Sequence, residues 1–223
     1  HGSCRLHPTG VRLLIHEPLC ADTHCHLDDP AFSQDLPEVI RRATEAGICP
    51  LVAPAETLAS STNILDIASR HPEVLPCVGV HPHKAGSFDP REIPEFESLA
   101  ARPDIVAVGE IGLDYFYEHS PRDKQIETLS FFLHLAVRRG LPACIHVRDK
   151  SGGADAVNDL LSLLNPIAGS LRGVIHCFTG TYEEACRFLD VGVLLSFTGI
   201  LTFKTAEPIR DVLARIPADR ILL

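Results

Sequence analysis

Residues 121–147 read PRDKQIETLSFFLHLAVRRGLPACIHV, and the change of period inside this stretch decides the fold class. Ile126, Leu129, Phe132, Leu133, Leu135 and Ala136 recur at three- and four-residue spacing, the stripe of a helix with one buried face. Pro121 suits a first helical turn, and Gly140 ends the pattern. Residues 143–147 then form a short, nearly continuous apolar run, as expected of a strand covered on both faces.

The same unit repeats in both directions from this stretch. Strands are expected at 19–23, 48–53, 74–80, 105–111, 143–147, 174–177, 193–197 and 221–223. Helices are expected near 36–46, 57–70, 91–101, 121–139, 154–164, 181–190 and 206–215. Strand–helix alternation predicts an α/β fold with a parallel sheet, and eight is the closing number of a TIM barrel. The expectation is a TIM-like (β/α) barrel, incomplete at the eighth βα unit, over residues 21–223. A doubly wound open sheet is the alternative. Residues 1–20 lack periodicity and read as an N-terminal extension, and a sequence without Met is not expected to begin where translation began.

Of 223 residues, 45% are hydrophobic and 22% charged, which excludes disordered, collagenous and coiled-coil classes. No run approaches the roughly 18 apolar residues of a membrane span, and no signal-peptide pattern opens the chain, so the expected compartment is the cytosol. The eight Cys form no Cys-x-x-Cys pair and read as reduced core residues. A net charge of −9 repels polyanions, so any phosphate binding must be local.

The twelve His are numerous, and His24, His26, His81, His83, His146 and His176 follow or end expected strands. In a barrel those ends share one mouth, which brings residues distant in sequence together. His24 and His26, two apart in an extended segment, can present both imidazoles to one ion. Glu110 interrupts the apolar run that should end the fourth strand, and a buried carboxylate needs a cation, strong hydrogen bonds or a raised pKa. With His146 and His176 these residues make a nitrogen-and-oxygen set suited to zinc, manganese or another borderline divalent ion. Five ligands exceed one zinc, and a carboxylate can bridge two ions. His81, His83, Arg148 and Lys204 offer donors for phosphate oxygens around the same mouth.

Six ordered motifs resemble the TatD family of metal-dependent hydrolases: Asp22-Thr23-His24-Cys25-His26-Leu27-Asp28, Gly79-Val80-His81-Pro82-His83, Gly109-Glu110-Ile111-Gly112-Leu113-Asp114, Ile145-His146-Val147-Arg148-Asp149, His176-Cys177-Phe178-Thr179-Gly180 and Thr198-Gly199-Ile200-Leu201-Thr202-Phe203-Lys204. The resemblance implies two divalent ions (Zn, Mn or Mg) on His24, His26, Glu110, His146 and His176. It also implies hydrolysis of phosphodiester bonds from DNA ends by a metal-activated water, with Glu110 as the catalytic bridge. The family's Glu-Thr-Asp segment, which follows a run like Arg220-Ile221-Leu222-Leu223 and supplies a metal-ligating Asp and general base, is not in this sequence. Two other readings follow: acyl, amide or aminoacyl-ester hydrolysis at the same centre, and a metal-binding barrel inactive for lack of that Asp. A lysine in place of Glu110 would favour acyl chemistry. The expected partner is DNA or another phosphodiester, with no membrane and no protein partner inferred.

Overall fold

The computed structural model describes residues 20–222. In chain order the elements are β1 (Cys20–Asp22), α1 (Leu36–Glu45), β2 (Ile48–Ala53), α2 (Leu58–Arg70), β3 (Val74–Val78), α3 (Ile93–Leu99), β4 (Ala107–Asp114), α4 (Arg122–Arg139), β5 (Ala143–Arg148), α5 (Asp155–Leu164), β6 (Gly173–His176), α6 (Tyr182–Asp190), β7 (Leu194–Ser196), α7 (Glu207–Arg215) and β8 (Ile221–Leu222). The eight strands form one parallel sheet in sequence order, curled into a half-barrel of the TIM type. β8 pairs with β7 through Leu195 and Ser196, and no ladder joins it to β1 among the described residues.

Local chemistry sets the element ends. The Thr57 hydroxyl accepts the Ser60 amide at the start of α2, and α6 opens with a reciprocal capping box between Thr181 and Glu184. Such caps contribute about 1 kcal/mol each. α4 stops where Gly140 turns left-handed at φ 66°, a conformation glycine adopts without a Cβ clash. The stripe read from the sequence is its buried face: Leu129, Phe132, Leu133, Leu135 and Ala136 are all buried. Phe132 packs edge-on to Phe96, with ring centroids 4.9 Å apart, so Phe132→Ala would cost about 3–5 kcal/mol. The main core joins the β3–β7 strands to the helices outside them, while a smaller one gathers Ile40, Leu51, Ala53, Ile64 and Ile67 under α1 and α2. No helix among the described residues is long and apolar enough to cross a membrane.

Several element bounds differ from expectation for physical reasons. The helix expected at 91–101 is a 3₁₀ turn, Pro90–Glu92, followed by the shorter α3, because Pro94 has no N–H to continue a helix through it. β4 begins at Ala107 and runs past Glu110 to Asp114, since residues 111–114 keep pairing with β5 out to Asp114↔Arg148. β1 ends at Asp22, so His24 and His26 lie beyond the strand, where the Cys25 amide still donates to the Val52 carbonyl. Cys20 belongs to β1 and is exposed, whereas Cys77 and Cys144 are buried, so the cysteines are not uniformly core residues. The remaining extension, residues 1–19, and the strand position at Leu223 lie outside the described residues.

Candidate metal centre

Glu110 is carried into the barrel by an irregularity in β4. Val108 pairs with Ala143 but Ile111 with Ile145, so one extra β4 residue is accommodated between them. The bulged backbone turns to the β2–α2 connection, where Ala55 donates to the Gly109 carbonyl and the Glu110 amide donates back to Ala55, both at 2.9 Å. Two glycines permit this path. A Cβ on Gly109 would lie 2.6 Å from that of Cys144, and Gly112, at φ 150°, would place one 1.9 Å from the His146 carbonyl oxygen.

The result is a carboxylate, 3% exposed, ringed by imidazoles. Its Oε2 lies 3.2 Å from His24 Nε2 and 3.5 Å from His26 Nε2, and those two nitrogens are 3.0 Å apart. Its Oε1 lies 3.2 Å from His146 Nδ1 and 3.7 Å from His81 Nε2. The His176 ring stacks on His24 at 3.4 Å, nearly parallel at 9°. Two groups, His24–Glu110–His176 and His81–Glu110–His146, each bring their ligand atoms within 4.8 Å of one another.

Asp114, fully buried, organises one side. Its Oδ2 accepts from His83 Nε2 at 2.9 Å and His146 Nε2 at 3.0 Å, while Oδ1 accepts the amides of Phe116 and Tyr117. Gln125 of α4 accepts the Asp114 amide and donates to its carbonyl. Both ring nitrogens of His146 therefore face carboxylates.

The electrostatics follow from these contacts. Burial pushes Glu110 upward, but hydrogen bonds from His146, His24 and His26 outweigh it and hold the carboxyl well below its usual range. Burial similarly opposes ionisation of Asp114, and its bonds from His146, the Tyr117 amide and His83 again prevail, lowering it. For His146 burial favours the neutral ring, yet the bonds to Asp114 and Glu110 raise it to about 9. The bond to Glu110 raises His26. His81 and His176, lowered to about 3 chiefly by burial, stay neutral at physiological pH.

These residues fit a divalent cation. A buried polar nitrogen normally finds a partner, yet His176 Nδ1 is buried without one among the described residues. Imidazoles gathered on one ionised carboxylate, His81 and His176 already neutral among them, are also the donor set of borderline metals.

Of the residues singled out from sequence, His24, His26, Glu110, His146 and His176 converge here. His81, expected among the phosphate donors, is 8% exposed and sits inside the cluster. His83 reaches the cluster through Asp114, Arg148 stands exposed at the end of β5, and Lys204 is exposed on the loop before α7. The anchoring role of Gln125 is not legible in the sequence, and Asp114 stands there only as the last residue of the motif that begins at Gly109. The one available signal was a second acid four residues beyond Glu110 in an apolar run.

The family model described as TatD related DNase matches residues 21–223. The chain is 35% identical over 208 residues to the metal-dependent hydrolase YcfH of Escherichia coli K12, covering 91% of this chain and 75% of that protein. It is 34% identical over 205 residues to the 3'-5' ssDNA/RNA exonuclease TatD of Edwardsiella piscicida, covering 91% and 76%. Among solved structures, YJJV, a TatD homolog from E. coli K12, superimposes with a TM-score of 0.80 at 30% identity, covering 91% of this chain and 77% of that one. The family model, the sequence relatives and the superimposed structure, each matching about nine-tenths of the chain, agree: it belongs to the TatD family of metal-dependent hydrolases.

Proposed function

We propose that this protein is a two-metal phosphodiesterase that removes nucleotides from DNA ends. The observation that carries the reading is the division of the Glu110 carboxylate, with Oε2 turned to His24 and His26 and Oε1 to His146 and His81. His24, His26 and His176 would hold one ion and His146 with His81 the other, Glu110 serving both. Zinc, manganese and magnesium are the candidates. Bound there, divalent ions supply Lewis-acid activation of water and neutralise charge on a phosphoryl group.

The chain's own residues supply orientation. Asp114 fixes the His146 ring from its far side, as carboxylates do behind metal-ligating imidazoles. Neutral His81 and His176 keep a lone pair for a cation at physiological pH. Arg148 pairs with no carboxylate among the described residues, leaving its planar fork for a phosphate. The relative named as an exonuclease for single-stranded DNA and RNA supports the same substrate class.

The test incubates the protein with Mg, Mn or Zn and single-stranded DNA labelled at either end. Stepwise release of mononucleotides from one end, abolished by chelation, is expected. Binding should depend only shallowly on salt, because log K falls by about 0.7 per phosphate contact on single strands and few cations face the mouth. Hydrolysis of simple carboxylic esters with intact DNA would reject the reading.

A further inference from the structure

Three large apolar side chains are exposed among the described residues: Phe116 at 43%, Tyr117 at 49% and Phe203 at 60%. Each follows a strand, Phe116 and Tyr117 between β4 and α4 and Phe203 between β7 and α7, so all belong to the mouth that carries the metal centre. Solvating such rings at one place is unfavourable unless a ligand covers them.

Phe116 and Tyr117 are also tied to that centre. Their amides donate to Asp114 Oδ1 at 3.0 and 2.8 Å, and the same carboxylate binds His146 and His83 through Oδ2. The Arg148 guanidinium, two residues beyond His146 on β5, lies 4.4 Å from the Phe116 ring centroid and 5.0 Å from that of Tyr117. Arg41, Arg70, Arg91, Arg102 and Arg122 each pair with a carboxylate, but Arg148 is held by these rings instead. The His119 ring lies parallel to Tyr117 at 5.5 Å and backs it. The Phe116 and Tyr117 rings are edge to face, 4.8 Å between centroids, which fixes their orientation.

We propose that Phe116 and Tyr117 form a stacking seat for the unpaired nucleobase next to the scissile phosphate, with Arg148 binding that phosphate. The proposal rests on the nuclease reading and deepens it. Any base has a π-face, so the seat recognises an unstacked nucleotide without selecting its sequence. A guanidinium steadied over aromatic rings keeps its N–H edge available to an anion.

The experiment compares a single-stranded oligonucleotide carrying natural terminal nucleotides with the same strand made abasic at those positions, using metal-loaded protein. The double substitution Phe116→Leu/Tyr117→Leu keeps apolar bulk but removes both π-faces. It should raise KM for the natural strand roughly 5- to 150-fold, the range expected for base stacking, with little change in kcat. On the abasic strand, wild type and variant should share one KM, and Tyr117→Trp should restore the natural-strand value. In parallel, a terminal 2-aminopurine should be quenched on binding metal-free wild type and remain bright with the double variant. Cleavage of the natural strand with a KM indifferent to base removal or to the double substitution overturns the seat and leaves the nuclease reading standing. Ester hydrolysis with both strands intact and no quench overturns the two together.

Discussion

The two sides of Glu110 are built differently. On the β4–β5 side, His146 is clamped between Glu110 and Asp114, and Asp114 is itself anchored by Gln125 and by His83. On the β1–β6 side, His24 and His176 stack face to face, His176 Nδ1 has no partner among the described residues, and the polar neighbour of His24 Nδ1 is a thiol, Cys144 Sγ at 3.3 Å. Hydrogen bonds within the protein orient one side, whereas the other keeps an imidazole nitrogen with no partner among the described residues. Burial alone does not separate the two, since rings on both sides are shielded; the difference lies in where the carboxylates sit.

The largest effect should come from the residue both sides share. Glu110→Gln keeps size and one acceptor oxygen but turns the other into an N–H donor and removes the charge that gathers the imidazoles. Metal content by elemental analysis and turnover should both fall by more than the roughly 10- to 100-fold typical of losing a supporting group, with the circular dichroism spectrum unchanged. Unchanged metal content would mean that the two sides do not depend on one carboxylate.

Next in size is Asp114→Asn, which takes the charge from behind His146 and leaves the β1–β6 side untouched. Metal affinity should drop about 10- to 100-fold in one phase of a titration only. An equal loss in both phases would erase the asymmetry between the sides.

How much of this was legible in the sequence follows the same division. His24, His26, Glu110, His146 and His176 stood out because each is a ligand type at the end of, or inside, an apolar run, and parallel strand order makes such positions neighbours. β2, predicted at 48–53, matches because six residues of one pattern are bounded by clear turns. The β4 bulge was not legible, since Gly109 and Gly112 hint at a close approach without saying to what. The role of Asp114 was hidden as well: its partners, His83 and His146, lie 31 and 32 residues away, and it takes the register of β4 with β5 to bring His146 to it and the turn after β3 to bring His83. His81 looked like a rim donor because no periodicity marks how a loop folds back.

The carboxylate clamp also gives a pH signature. His146, raised from 6.5 to about 9, is an imidazolium at neutral pH in the metal-free protein. Its contribution to metal-free stability is complete below about pH 6.5 and disappears as pH rises through about 9. A cation must displace that proton, so metal uptake at about pH 7 should release close to one proton from this ring, falling toward none above about pH 10. Calorimetric titration in buffers of differing ionisation enthalpy measures the release. The metal-induced rise in Tm should grow between about pH 7 and 9.5, and a flat profile would mean that His146 is not the ring the metal must discharge.

The smallest effect should lie behind His24. Burial raises the Cys144 thiol far above its ordinary value, so the group beside His24 Nδ1 is a neutral S–H, a weak donor compared with a carboxylate. Cys144→Ala removes one sulfur from a buried position on β5, next to Gly109. Stability should fall by about 1 kcal/mol or less through lost packing, and metal affinity should change less than about threefold, because His24 is positioned mainly by its stack on His176 and its approach to Glu110. Denaturant unfolding of the metal-free protein separates the packing loss from the binding change. If Cys144→Ala weakens metal binding as much as Asp114→Asn, the thiol orients His24 as firmly as the carboxylate orients His146, and the two sides differ in chemistry but not in rigidity.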